Sequence, residues 1–230
     1  MEITNLYSQF CPVAMASEVI CTRWTPLVMR ELLCGSVRFN DIRKGVPKMS
    51  PSLLSKRLKE LELAGVIKSV QTERGASEYH LTQAGEELRP LVIGIGNWGQ
   101  RWVESRLSLR NLDPSLLMWD IRRNFDPDPR PSRRCTIQFL YPELTELLRD
   151  WWLLVDEEGT DLCRTDPGYD VDILVTADLR AFTSVWMGIT TLSQEMETGA
   201  VTIDSTSDLE ANFRKWLKCS VFAPQKRMVS

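Results

Sequence analysis

The chain has 230 residues, 43% of them hydrophobic and 26% charged, a composition that excludes a disordered polypeptide and supplies enough apolar material for two ordinary cores. Its net charge of -3 hides a division: residues 1–110 carry 15 basic and 11 acidic side chains, +4 net, whereas residues 111–230 carry 13 and 20, -7 net. A basic half beside an acidic one is expected where only the first half meets phosphates. No apolar run approaches the ~18–20 residues of a membrane-spanning helix. The opening Met1-Glu2-Ile3-Thr4-Asn5 lacks the basic-then-apolar pattern of a secretory leader, so a cytoplasmic protein with no membrane partner is expected.

In chain order, Cys11-Pro12-Val13 opens a first helix and Thr25-Pro26, with Thr25 as cap, a second whose apolar stripe is Leu27, Val28, Leu32 and Leu33. Gly35 ends it. Phe39-Asn40-Asp41-Ile42 begins a short third helix that closes before Gly45-Val46-Pro47, and Ser50-Pro51 starts a fourth that runs to Ala64-Gly65. Val66 to Val70 and Tyr79 to Leu81 have strand character and flank Glu73-Arg74-Gly75-Ala76-Ser77, which reads as a hairpin. Thr82 then caps a long helix from about Gln83 to Arg106. Three prolines in Asp126-Pro127-Asp128-Pro129-Arg130-Pro131-Ser132 mark a linker. The expected domains are therefore 1–110, a helical and proline-rich linker at 111–132, and 133–230.

Helix, helix, turn, helix, hairpin is the layout of a winged helix-turn-helix. In the fourth helix Leu54, Leu58 and Leu61 fall on one side, while Ser52, Ser55, Lys56 and Lys59 gather on the other, with Glu60 and Glu62 off that face. Short hydroxyls beside lysines suit approach to a DNA groove, where Ser contacts bases or phosphates and Lys neutralises phosphate. Arg38 before the third helix, Lys48 in the turn and Arg74 at the hairpin tip stand where a winged helix grips the flanking backbone. A solvated helix face is the bland alternative for each residue taken alone.

Cys11-Pro12-Val13, Trp24-Thr25-Pro26-Leu27-Val28-Met29-Arg30-Glu31-Leu32, Arg38-Phe39-Asn40-Asp41-Ile42 and Ser50-Pro51-Ser52-Leu53-Leu54-Ser55-Lys56-Arg57-Leu58 resemble the HxlR-type transcriptional regulators over about residues 8–103. Thr22-Arg23-Trp24 stands where that family commonly has Gly-Lys-Trp, a change that keeps the charge. The resemblance implies a homodimer on a palindromic operator of double-stranded DNA, formed through the N-terminal helix and the long helix after the wing; Asn40 and Ser50 complete the expected DNA-binding set. Leu88, Leu91, Val92, Ile95, Trp98 and Trp102 form one apolar helix face that serves either this pairing or packing within one chain. In some members a cysteine at the place of Cys11 senses oxidants; here Cys11 is either such a sensor or a packed thiol. Gly94, Gly96 and Gly99 form a G-x-G-x-x-G string, but no strand precedes it, so no dinucleotide site is expected.

Beyond Arg133, the segments 136–140, 151–155 and 171–175 read as strands, and helices follow at 178–188, 191–198 and 209–217. The fold class is α+β, with a C-terminal domain expected to be an antiparallel sheet with helices on one side. The stretch from Val175 to Gly188, with Gly199 to Ile203, resembles the sterol-carrier-protein type of domain. That likeness implies an apolar effector lodged against Phe139, Trp151, Trp186, Met187 and Met196, unless these side chains simply fill the core. The rival reading is an apolar-ligand carrier whose winged helix serves only for dimerisation. An enzyme is not expected, because six dispersed cysteines and one histidine offer no cofactor or metal site and no nucleophile elbow.

Overall fold

A computed structural model of the chain describes residues 7–73, 75–104, 109–128 and 130–229. It divides into two compact units, Met1–Gly96 and Asn97–Ser230. Among the described residues no helix is long and apolar enough to cross a membrane.

The first unit contains α1 (Pro12–Ile20), α2 (Thr25–Leu33), α3 (Phe39–Gly45), α4 (Pro51–Leu63), the hairpin of β1 (Ile67–Gln71) and β2 (Ser77–Leu81), α5 (Gln83–Glu86) and the start of α6 (Arg89–Trp102). Its core is aliphatic: Val28, Met29 and Leu32 from α2 meet Ile42 and Val46 of the α3 region, Leu54, Leu58 and Leu61 of α4, and Val66 and Ile67 at the entry to β1. A buried carboxylate ties α2 to α3. Glu31 accepts from Arg30 at 2.8 Å, and Arg30 also donates to the Gly45 carbonyl at 2.7 Å. The Glu31 carboxylate lies directly against the Gly45 α-carbon, in the space any side chain would occupy, so this position takes glycine for closeness rather than for turn geometry.

Two sequence expectations shift here. Thr25 does not cap α2; Trp24 holds the cap position at φ 78, in the left-handed region, and Thr25 is the buried first helical residue. The single helix expected from Gln83 to Arg106 is broken at Glu87-Leu88. Pro90 has no N–H to return to Glu86, and it disfavours helical backbone in the residue before it. The second piece ends at Trp102, and Arg106 lies outside the described residues.

The second unit holds α7 (Pro114–Asn124), β3 (Cys135–Leu140), α8 (Glu146–Arg149), β4 (Asp150–Val155), β5 (Thr160–Cys163), β6 (Ile173–Ala177), α9 (Leu179–Trp186), α10 (Leu192–Glu197), β7 (Val201–Asp204) and α11 (Ser207–Trp216). The strand order is β5-β4-β3-β6-β7. The sheet is not wholly antiparallel, as expected from sequence: β3 and β6 run parallel, with Phe139 opposite Val175, while the other three pairs are antiparallel. After β5 the chain crosses back to the far side of β3, and alternation of side chains carries no information about that choice. The edge strands β5 and β7 were not legible, being four residues long with only two apolar residues each. Residues 111–132, expected as a helical and proline-rich linker, contain α7, whose Leu117, Met118 and Ile121 belong to the core of this unit. Asp113 caps α7 by accepting from Ser115 and Leu116. The proline-rich stretch that follows is pinned where the Asp126 N–H donates to the Trp216 carbonyl at 3.0 Å.

Candidate nucleic-acid interface

The helix that could enter a groove is α4, and its ends are well defined. The Ser50 hydroxyl accepts from the Leu53 N–H at 3.3 Å, Pro51 opens the first turn, and Gly65 at φ 72 lets the chain leave for β1. Leu54, Leu58 and Leu61 are buried, which fixes the rotation of the helix. Ser52, Ser55, Lys56 and Lys59 are all exposed on the opposite side. The four residues that periodicity placed together therefore share one solvent-facing surface.

The acids of this helix are turned to internal use. Glu60 pairs with Arg57, which also donates to the Arg23 carbonyl at 3.2 Å, and Glu62 accepts from the Ser69 N–H at 3.1 Å, fastening α4 to β1. Lys56 lies 4.0 Å from Glu60. Lys59 forms no ion pair with the described residues, so the exposed face keeps its positive sign.

The remaining expected contacts are placed less uniformly. Lys48 in the α3–α4 turn and Asn40 on α3 are exposed. Ser50 is occupied as a cap and lies 3.3 Å from the Ser52 hydroxyl, so its role is to start the helix. Arg38 is exposed, yet its Nε donates to Glu78 Oε1 of β2 at 3.3 Å, beside an isolated β-bridge between the same two residues. Arg74 lies outside the described residues. Lys68 and His80 face each other across the hairpin and were missed as candidates; alternation hinted at them, but only the observed register pairs them.

Cys11 immediately precedes α1, where hydrogen bonds from the Ala14 and Val13 backbone hold its thiol below the ordinary range. The apolar face expected on the long helix divides in two. Leu88 and Val92 pack on the first core. Leu91, Ile95, Trp98 and Trp102, spaced as one seam along α6, are 46% to 63% exposed. Phe10, Val13 and Met15 around α1 are also exposed.

In the second unit, the residues considered for an apolar ligand sit within packed structure. Phe139 lies with its ring 5.7 Å from Phe182 and 6.1 Å from Phe213, and Trp151 donates to the Leu148 carbonyl at 2.8 Å. Met187 and Met196 are half-buried; the Met187 carbonyl accepts from Gln100, and the Met196 sulfur accepts from Arg214. A shallow depression with a cavity volume of about 10 Å³ is lined by Ile121, Phe182, Val185, Trp186, Leu217 and Lys218, of which only Trp186 was expected.

HxlR-like helix-turn-helix proteins match residues 19–107. The uncharacterized HTH-type transcriptional regulator YvaP of Bacillus subtilis (strain 168) is 38% identical over 100 residues, 42% of this chain and 93% of that protein. A second B. subtilis regulator, the uncharacterized YdeP, is 34% identical over 94 residues, 40% of this chain and 73% of its own length. Among solved structures, that of the protein PA1607 is 35% identical with a TM-score of 0.38, covering 40% of this chain and 66% of PA1607. The chain belongs, through its N-terminal portion, to the HxlR-like helix-turn-helix family of transcriptional regulators.

Proposed function

We propose that the protein is a homodimeric transcriptional regulator that places α4 of each subunit in the major groove of a palindromic operator. The observation that carries this reading is the α4 surface: Ser52, Ser55, Lys56 and Lys59 exposed together opposite three buried leucines, with Glu62 engaged by Ser69 and Glu60 shared between Arg57 and Lys56. The exposed seam Leu91, Ile95, Trp98 and Trp102, with Phe10, Val13 and Met15, supports pairing of two chains through α6 and α1. A row of apolar side chains at that spacing is what a partner helix covers.

A sensing role for the second unit requires its core to open, because Phe139 and Trp151 are fully packed. The depression beside Trp186 is small against the ~300–1,000 Å³ of a typical small-molecule pocket. DNA binding is therefore the part of the reading to test first.

The test is a titration of the full-length protein on duplex DNA flanking its own gene, at several salt concentrations, beside a Lys56→Ala, Lys59→Ala double variant. We expect tight, sequence-selective binding for the parent. The variant should lose affinity and its log–log salt dependence should flatten by about 1.8, from about 0.9 per lost phosphate contact. Equal, unselective binding by both chains would refute the proposal.

A further inference from the structure

The hairpin is fastened to the segment before α3 along its second strand. The Tyr79 N–H donates to the Val37 carbonyl at 2.7 Å, and Arg38 forms an isolated antiparallel bridge with Glu78. Residues 37 and 38 therefore lie beside β2 on the edge away from β1. Residues opposed across strands point to the same face. Val70 opposes Glu78 and Lys68 opposes His80, so Arg38, Glu78, His80 and Lys68 share the outer face, while Ile67, Tyr79 and Leu81 turn to the core. Both oxygens of the Glu78 carboxylate are engaged there: Oε1 accepts from Arg38 Nε at 3.3 Å, and Oε2 lies 3.4 Å from His80 Nε2. Glu78 is 22% exposed and Arg38 69%. The bond takes the inner nitrogen of the guanidinium; the outer pair, Nη1 and Nη2, bond to no described residue. Arg38 is thus anchored at its inner end with its outer edge free, and that edge can grip a phosphate through two parallel hydrogen bonds.

We propose that Glu78 is a positioning residue for DNA binding: it holds the Arg38 guanidinium so that the outer edge meets a backbone phosphate beside the groove that α4 enters. The role rests on the DNA-binding reading above. An unheld arginine gives up its rotamer freedom when it meets phosphate; the bond to Glu78 and the backbone bridge at the same residue settle that in advance. Charge and positioning pull in opposite directions here. As a bare negative charge Glu78 repels DNA, so its removal would tighten binding. As the anchor of Arg38 its removal weakens binding, and the sign of the change separates the two.

The experiment measures affinity for the same duplex, and its salt dependence, with full-length wild type, Glu78→Ala, Glu78→Gln, Arg38→Ala and the Arg38→Ala, Glu78→Ala double variant, each checked for native circular dichroism. Arg38→Ala should lose about tenfold in affinity, the scale of one hydrogen-bonded charge, and its salt slope should fall by about 0.9, the counterion-release value of one phosphate contact. Glu78→Ala should lose about fivefold, the scale of ordering one long side chain, although it sheds a negative charge. Glu78→Gln, whose amide oxygen still accepts from Arg38 Nε, should bind at least as tightly as wild type. In the Arg38→Ala background the loss of Glu78 should cost nothing further, whereas a general weakening of the wing would act with or without Arg38. Tighter binding by Glu78→Ala, a loss in Glu78→Gln as large as in Glu78→Ala, or an equal loss with and without Arg38 overturns the inference while the DNA-binding reading stands. Wild type that shows no selective, salt-dependent binding sinks the DNA-binding reading, and the role of Glu78 falls with it.

Discussion

The two units build their cores from different side chains and leave different basic groups free. In the first, the core is small and aliphatic, and large apolar groups such as Phe10, Leu91 and Ile95 are left outside, as are Lys48 and Lys59. In the second, the core is built on the buried rings of Phe139, Trp151, Phe182 and Phe213, and several arginines are spent on neighbours. Arg133 pairs with Asp172 at 2.8 Å, Arg214 with Glu210 at 2.8 Å, and Arg134 with Asp156 while it also stacks over Tyr169. Lys48 and Lys59 of the first unit are thus candidates for phosphate, whereas Arg133, Arg134 and Arg214 of the second are staples within an acidic surface. Sequence charge alone assigns both the same sign.

The largest effect that separates the units is expected from Phe139→Ala. This ring sits fully buried between Phe182 and Phe213, and removing such a side chain costs about 3–5 kcal/mol. Hydrogen exchange should show β3, β4 and β6 losing protection while α4 retains it. Equal loss in both units would end the comparison, since it would mean that they unfold as one body.

In the first unit the matching weak point is polar rather than aromatic. Gly45→Ala drives a methyl group into the space of the buried Glu31 carboxylate and strains its bonds to Arg30. Overpacking of this kind costs about 1–3 kcal/mol, and displacing a buried charge from its partner adds to that. Denaturant titration followed through the unfolding of the α2–α4 region should register the change, with the second unit unaffected. A neutral substitution would show that the Glu31 site has room to relax.

How far these features could be read in advance follows from how local their causes are. The start of α4 and its polar face were legible because a serine cap, a proline and leucines at helical spacing all lie within twelve residues of one another. The break before Pro90 had a local cause as well, but the apolar periodicity on either side masked it. The parallel pairing of β3 with β6 and the engagement of Arg38 by Glu78 were not legible, because each depends on residues about forty positions apart. Large apolar residues marked the second core correctly as apolar, yet composition does not state whether space remains between them. Edge strands such as Thr160–Cys163 are missed because a half-exposed strand needs little hydrophobic sequence.

The smallest predicted effect concerns the thiols, where the same contrast appears as chemistry. Cys11 in the first unit has its thiol lowered by backbone hydrogen bonds at the start of α1. In the second unit burial raises Cys135, Cys163 and Cys219, with the Asp172 carboxylate adding to the effect at Cys135 and Asp161 at Cys163. The thiolate is the reactive form, so at neutral pH a small alkylating reagent should modify Cys11 well before Cys135, as peptide mass spectrometry over time would show. Cys135 is pushed up to about 11 from 9.0. The folded state therefore keeps a proton there that the unfolded chain surrenders first, and the stability tied to it is present below pH 9 and lost as pH rises through about 11. Cys135→Ala should remove that alkaline component from the second unit while leaving the labelling of Cys11 unchanged. Labelling of Cys135 as fast as Cys11 at neutral pH would mean that the second core opens often enough to admit a small molecule, which is the condition that ligand sensing requires.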